Sequence, residues 1–305
     1  MGRSSSGIIV NILPILLMAG IFIIVDGLAL LLMRPLEAAG ANAFENPDDP
    51  MNLVSFFLTL LLFTGFILFI AKFRRRAVHG IFLGAVGLFF FYFFYFLTVT
   101  IIPEVWSIGF SVGATISLVV ILVKYPEWYV IDASAIIMGA GSSAMFGISL
   151  NIPLVIVLLI GMAVYDAISV YKTKHMISIA DTAVRSRVPM MFIIPNIRNY
   201  SLIKETKGFK DKLEEGEERH AFFIGLGDIV FPGILFASAF YNTPSNSLLI
   251  AMSVTAGTLL SFIALMRTVI KGKPQAGLPY LSTGAILGYI VSSYIIFGRL
   301  VGFTL

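Results

Sequence analysis

Apolar residues in this chain come in long unbroken blocks, without the stripe of an amphipathic helix or the alternation of a half-buried strand. A helix needs roughly 20 apolar residues to cross a bilayer. Nine blocks meet that length, at about 8–33, 51–71, 78–102, 105–123, 130–150, 152–174, 221–241, 246–270 and 278–300. The pattern predicts an all-α integral membrane protein with nine transmembrane helices. The first block is too long for a signal peptide and no small-residue cleavage site follows it, so cleavage there is not expected.

Composition agrees. The 305 residues are 58% hydrophobic and 12% charged, with a mean hydropathy of +0.95, which sets the chain apart from soluble domains. Cysteine is absent, so disulfides, thiolate metal sites and cysteine nucleophiles are excluded. The net charge of +4 is unevenly spread. Arg3 precedes the first block; Lys72 and Arg74–Arg76 fill the second loop, Lys124 the fourth, and Arg267, Lys271 and Lys273 the eighth. Glu37, Glu45, Asp48 and Asp49 follow the first block, and Glu104 follows the third. Basic loops stay on the cytoplasmic side. The alternation therefore predicts a cytoplasmic N-terminus and an outside C-terminus, as an odd number of crossings requires. The chain is expected in the cell membrane as a multi-pass protein whose surroundings are lipid, with no nucleic-acid partner.

The blocks divide into a six-helix part (1–174), a polar cytoplasmic loop (175–220) and a three-helix part (221–305), forming one membrane domain overall. Within the loop, Ala180–Arg187 could form a short interfacial helix. Pro189–Pro195 (PMMFIIP) is apolar, too short to span and bounded by prolines, so extended structure is expected. It reads either as a membrane-surface anchor or as part of a binding surface. Asn199–Arg219, rich in Lys, Glu and Gly, is expected to be mobile.

Two acids interrupt the apolar blocks. Asp166 lies in the sixth and Asp228 in the seventh. An ionised carboxylate in hydrocarbon costs several kcal/mol, so such residues face a protein interior or a watery cavity and serve a function. Counting helical rise from Lys174 and Ala221 puts both roughly 10–12 Å below the cytoplasmic surface. Acids at one depth on consecutive helices can meet, and at close range they share one proton. The protonated acid can then polarise a carbonyl while the ionised one activates water. Gly225 and Gly227 remove side chains beside Asp228 and suit a close approach by another backbone. Pro232 deprives the Asp228 carbonyl of its helical partner. Tyr165, taken alone, reads as a packing residue.

A third element opens the last block: Ala276-Gly277-Leu278-Pro279. Pro279 lacks an N–H and Gly277 permits unusual dihedrals, so irregular backbone near the depth of the acids is expected; a helix start with proline in its first turn is the plainer alternative. Gly284 and Gly288 form a GxxxG face for helix packing. Asp26 reads as a hydrogen-bonded interior residue or a gate, and Asp132 as interfacial. No HExxH motif exists, and His79, His175 and His220 all fall at predicted loop edges, which leaves Ser142 and Ser143 without a base.

Tyr165-Asp166, Gly225-Leu226-Gly227-Asp228 and the start of the ninth block, in that order, resemble the presenilin and signal peptide peptidase family of GxGD intramembrane aspartyl proteases. The family pattern is Tyr-Asp, Gly-x-Gly-Asp and Pro-Ala-Leu. The first two match fully; in the third, Ala276 and Gly277 stand where proline and alanine are expected, while Leu278 and the following Pro279 match. The N-inside orientation is similar to presenilin, and the compact size to microbial, archaeal-like members. The resemblance implies an intramembrane aspartic endopeptidase without cofactor or metal. Asp166 and Asp228 would be catalytic, with Tyr165, Gly225, Leu226 and Gly227 in support. Ala276, Gly277, Leu278 and Pro279 would shape the site or engage substrate. It also implies transmembrane-helix proteins as substrates and allows a homo-oligomer, and it implies that Gly277→Ala, which restores the family residue, is tolerated. A substrate helix must unwind to be cut, and PMMFIIP and Ala276–Pro279 are candidate edges for pairing its exposed backbone. The alternative is a proton- or cation-coupled transporter, or a leak channel, using the same aspartates.

Overall fold

The computed structural model describes residues 6–73, 75–173, 189–195, 201–202, 221–269 and 275–303. In chain order, the helices are α1 (Ser6–Ala38), α2 (Met51–Phe73), α3 (Arg75–Thr98), α4 (Glu104–Lys124), α5 (Trp128–Ser149) and α6 (Ile152–Ile168). A single π-helical turn, Ser169–Thr173, extends α6. Two strands follow, β1 (Met191–Pro195) and β2 (Ala221–Gly225), then α7 (Leu226–Asn242), α8 (Ser247–Val269) and α9 (Gly277–Phe297). Among the described residues, eight helices are long and apolar enough to cross a membrane; α7 is a shorter apolar helix of 17 residues. Ala180–Arg187 and most of 199–219 lie outside the described residues.

Helices dominate because hydrocarbon offers backbone groups no partner, and a helix satisfies them internally. Which helix lies innermost follows from side-chain size. α5 carries Gly139, Ala140, Gly141, Ser143, Ala144 and Gly147, all buried. These let α1 and α7 press against it; a methyl group at Gly147 would collide with Ala237 of α7. At the opposite extreme, α2 is lined with Leu58, Leu61, Leu62, Phe66 and Phe69, all exposed, as suits a lipid-facing helix. Phe57 is its main anchor, inserted where Gly161 of α6 lacks a side chain.

The Gly284/Gly288 face packs as the sequence predicts. A methyl group at Gly284 would run into the Gly257 carbonyl and the Ser261 side chain of α8, and one at Gly288 into the Ser253 backbone. The backbones of α8 and α9 are thus in direct contact. Asp26 is a hydrogen-bonded interior residue: it is buried and accepts the Thr255 hydroxyl at 2.6 Å, tying α1 to α8.

The main departure from the sequence pattern concerns 221–241. Its first five residues are a strand, paired antiparallel with β1 in the register Met191↔Gly225 to Pro195↔Ala221. Apolarity alone does not separate a strand of this length from a helix turn. Here PMMFIIP, extended as expected, supplies the partner. β1 is buried between β2 and α5, and so is not a membrane-surface anchor.

Gly284→Leu is expected to force α8 and α9 apart and destabilise the protein by about 2 kcal/mol or more. Thermal unfolding in detergent should show a clear drop in Tm. Gly109→Leu, where nothing lies within 4 Å of the added carbon, should leave Tm unchanged.

Candidate active site

Asp228 owes its position to the change from strand to helix. β2 ends at Gly225, which is the N-cap of α7 (φ −63°, ψ 141°), so Asp228 stands at the third helical position. A carboxylate there can reach back to the N-cap amide, one half of a capping box. The Gly225 N–H does donate to the Asp228 carboxylate. The seven helical residues counted from Ala221 are therefore a strand, a cap and less than one helical turn. Asp228 remains partly exposed.

Asp166 is 2% exposed, on the last turn of α6 before the π turn. Its partner is the start of α9. Ala276 is the N-cap (φ −72°, ψ 120°), and Gly277 and Leu278 are the first helical residues. The Leu278 N–H donates to Asp166 Oδ2 at 3.1 Å, and the Gly277 N–H also donates to this carboxylate. The first amides of a helix have no internal partner and carry the positive end of its dipole, so they are natural ligands for an anion. Ala276–Pro279 is thus an ordinary helix start with proline in the first turn, not irregular backbone. Two of its amides are engaged by Asp166.

The same backbone also touches Asp228. A Cβ on Gly277 would lie 2.8 and 2.9 Å from Asp228 Oδ1 and Oδ2. Gly277 is therefore the glycine that permits close approach. A Cβ on Gly225 would face Asp228 itself at 3.4 Å, and one on Gly227 would meet only the Phe231 ring at 3.5 Å. The two carboxyl groups are near enough to interact electrostatically. Two acids, brought in by α6 and α7, meet over the first turn of α9.

The remaining expected residues surround this point. Tyr165 is half-buried against the main core, and Leu278 is part of that core. Leu226 packs on a second cluster with Phe192, Ile194 and Ile224, and its N–H donates to the Met190 carbonyl at 3.0 Å. Ala276 is buried, and Pro279 lies at the third position of α9. Among the described residues, no three His, Asp or Glu side chains group within reach of a metal ion. Sequence reasoning missed the partner of Asp132, which is 8% exposed and accepts the Ile193 N–H of β1 at 2.8 Å. An acid one turn inside a span, near an extended segment in need of an edge partner, was the available signal.

Comparisons with known proteins agree with this geometry. A sequence model of the family described as "Signal-peptide peptidase, presenilin aspartyl protease" matches residues 19–298. Among solved structures, a presenilin family intramembrane aspartate protease in space group C222 superposes with a TM-score of 0.69 at 31% identity, covering 92% of this chain and 99% of the other. The same kind of protease in space group P2 gives 0.65 at 31% identity, covering 93% and 98%. A search of curated protein sequences found no significant match. The chain belongs to the signal-peptide peptidase and presenilin family of intramembrane aspartyl proteases. It is a multi-pass membrane hydrolase, and the transporter alternative has no support.

The contact between Gly277 and Asp228 reverses one expectation. Gly277→Ala restores the family residue, yet its methyl group must displace the Asp228 carboxylate. We expect kcat to fall by up to about 100-fold, the loss that a misplacement of one ångström can bring, with KM little changed. Unchanged kcat would show that Asp228 rotates away freely.

Proposed function

We propose that Asp166 and Asp228 are the catalytic pair of this intramembrane protease and that they cut transmembrane helices by general acid–base hydrolysis. The observation that carries this reading is the meeting of both carboxyl groups over one stretch of backbone, Gly277–Leu278. At that range one carboxyl is protonated and the other ionised. The ionised group takes a proton from water as its oxygen attacks the scissile carbonyl carbon, and the protonated group donates to the carbonyl oxygen. The tetrahedral diol then collapses: the nitrogen receives the proton now held by the first carboxyl as the C–N bond breaks, and the second carboxyl takes a proton back from a diol hydroxyl as the C=O bond reforms. The products are an acid and an amine, and the pair returns to its starting state. No metal or cofactor is invoked.

The backbone amides on Asp166 and Asp228 fix both carboxyl groups before substrate arrives, so little reorganisation remains for the chemical step. A helix offers no accessible amide until it unwinds. We place the unwound stretch of substrate alongside the β1–β2 ribbon, which leads directly into Asp228. The chain crosses the membrane nine times in this reading, α7 included. Its N-terminus is cytoplasmic, consistent with the basic even-numbered loops and acidic first and third loops. The dyad then opens toward the cytoplasmic half of the bilayer.

Asp166→Asn and Asp228→Asn should each abolish cleavage of a single-span substrate in detergent, read by mass spectrometry, while expression and monodispersity stay normal. Substantial activity in either folded variant would refute the assignment. The rate should also trace a bell against pH, because one carboxyl must be protonated and the other ionised. A flat profile across the range where the protein stays folded would rule out a shared proton.

A further inference from the structure

We propose that Asp132 is a positioning residue for the reaction, fixing the β1–β2 ribbon that presents Asp228 and thereby setting which substrate bond is cut. The proposal rests on the catalytic assignment above and extends it to a third intramembrane acid.

β1 and β2 form a ribbon of only two strands, and an isolated two-stranded ribbon is at best marginally stable. This one is held from its outer side. The Asp132 carboxylate accepts the Ile193 N–H at 2.8 Å, at the middle residue of β1. Five residues earlier, at the N-cap of α5, the Glu127 carboxylate accepts the Ser201 hydroxyl at 2.6 Å and the Leu202 N–H at 3.1 Å. Apolar contacts flank the Asp132 bond. Ile131 shares a buried cluster with Met191 and Ile193, and Ala135 another with Phe192 and Ile194. α5 therefore acts as a third strand would, with a carboxylate in place of a backbone carbonyl.

The position so fixed is relayed in register. Ile193 stands opposite Phe223, and Met191 opposite Gly225. Gly225 is the residue whose N–H holds Asp228. Asp132 thus connects the innermost helix to the catalytic carboxyl through one side-chain bond, the strand pairing and one cap.

What Asp132 supplies is a directional acceptor oxygen at a fixed point on the innermost helix. A ribbon that slid by one residue would invert its faces, carrying Gly225, and Asp228 with it, away from Gly277 and Asp166. A ribbon that merely loosened would present neighbouring substrate bonds to the dyad.

The test uses the full-length enzyme, a single-span substrate and a mass-spectrometric map of cleavage positions. Asp132→Ala should lower kcat about tenfold and spread cleavage from the wild-type bond to its neighbours. Asp132→Asn keeps an acceptor oxygen and should preserve the wild-type map. An unchanged map and kcat for Asp132→Ala would overturn the proposal, as would an Asp132→Asn variant that is folded yet scattered like the alanine variant. Ile193→Pro covers the case in which Asp132→Ala does not fold. It removes the donor instead of the acceptor, and because the Ile193 N–H points to Asp132, no bond to β2 is lost with it. It should scatter cleavage, and adding Asp132→Leu should scatter it no further, since both changes break one bond. A wild-type map for Ile193→Pro, or additive damage in the double variant, would overturn the proposal. Failure of the dyad assignment is separate, because it shows as activity in Asp166→Asn or Asp228→Asn.

Discussion

A carboxylate taken out of water must find other dipoles to replace it, and here the replacement is the starts of two helices. α7 gives Asp228 its N-cap amide, and α9 gives Asp166 its first two. Both helices must begin at one depth and point the same ends at one spot. The rest of the architecture follows from this demand. α7 starts late because a strand precedes it; α9 is held against α8 without side chains between them; α5 supports the strands that place the start of α7. Move either helix start and one acid loses its solvation along with its geometry.

Much of this could be read from the sequence. The apolar blocks located the helices. The two aspartates stood out because hydrocarbon penalises them. The Gly284/Gly288 face and extended PMMFIIP were also legible, because glycine spacing and flanking prolines act locally. Tyr165-Asp166 and Gly225-Leu226-Gly227-Asp228 identified the family.

What was not legible depended on pairing across the chain. Ala221–Gly225 is apolar enough to continue a helix, and only the presence of β1 makes it a strand. The depth estimate for Asp228 therefore rested on a helical rise that does not exist, though it still placed the two acids together. Gly225 and Gly227 looked like the close-approach residues because they adjoin Asp228 in sequence. The close approach is made by Gly277, whose partner lies 49 residues away (277 − 228). The role of Asp132 was hidden because nothing in its own helix reveals a strand edge waiting beside it.

The brevity of α7 is possible because lipid scarcely meets it. Seventeen residues make a helix about 25 Å long, some 5 Å short of a typical hydrocarbon core. A helix bathed in lipid would force the bilayer to thin around such a mismatch. α7 packs instead on α1, α5, α6, α8 and α9, and Tyr241 at its far end is its one exposed residue. The turn it lacks is lacking at the end where Asp228 stands, and there protein rather than hydrocarbon borders the gap. A polar group can sit in that recess without any lipid having to accommodate it.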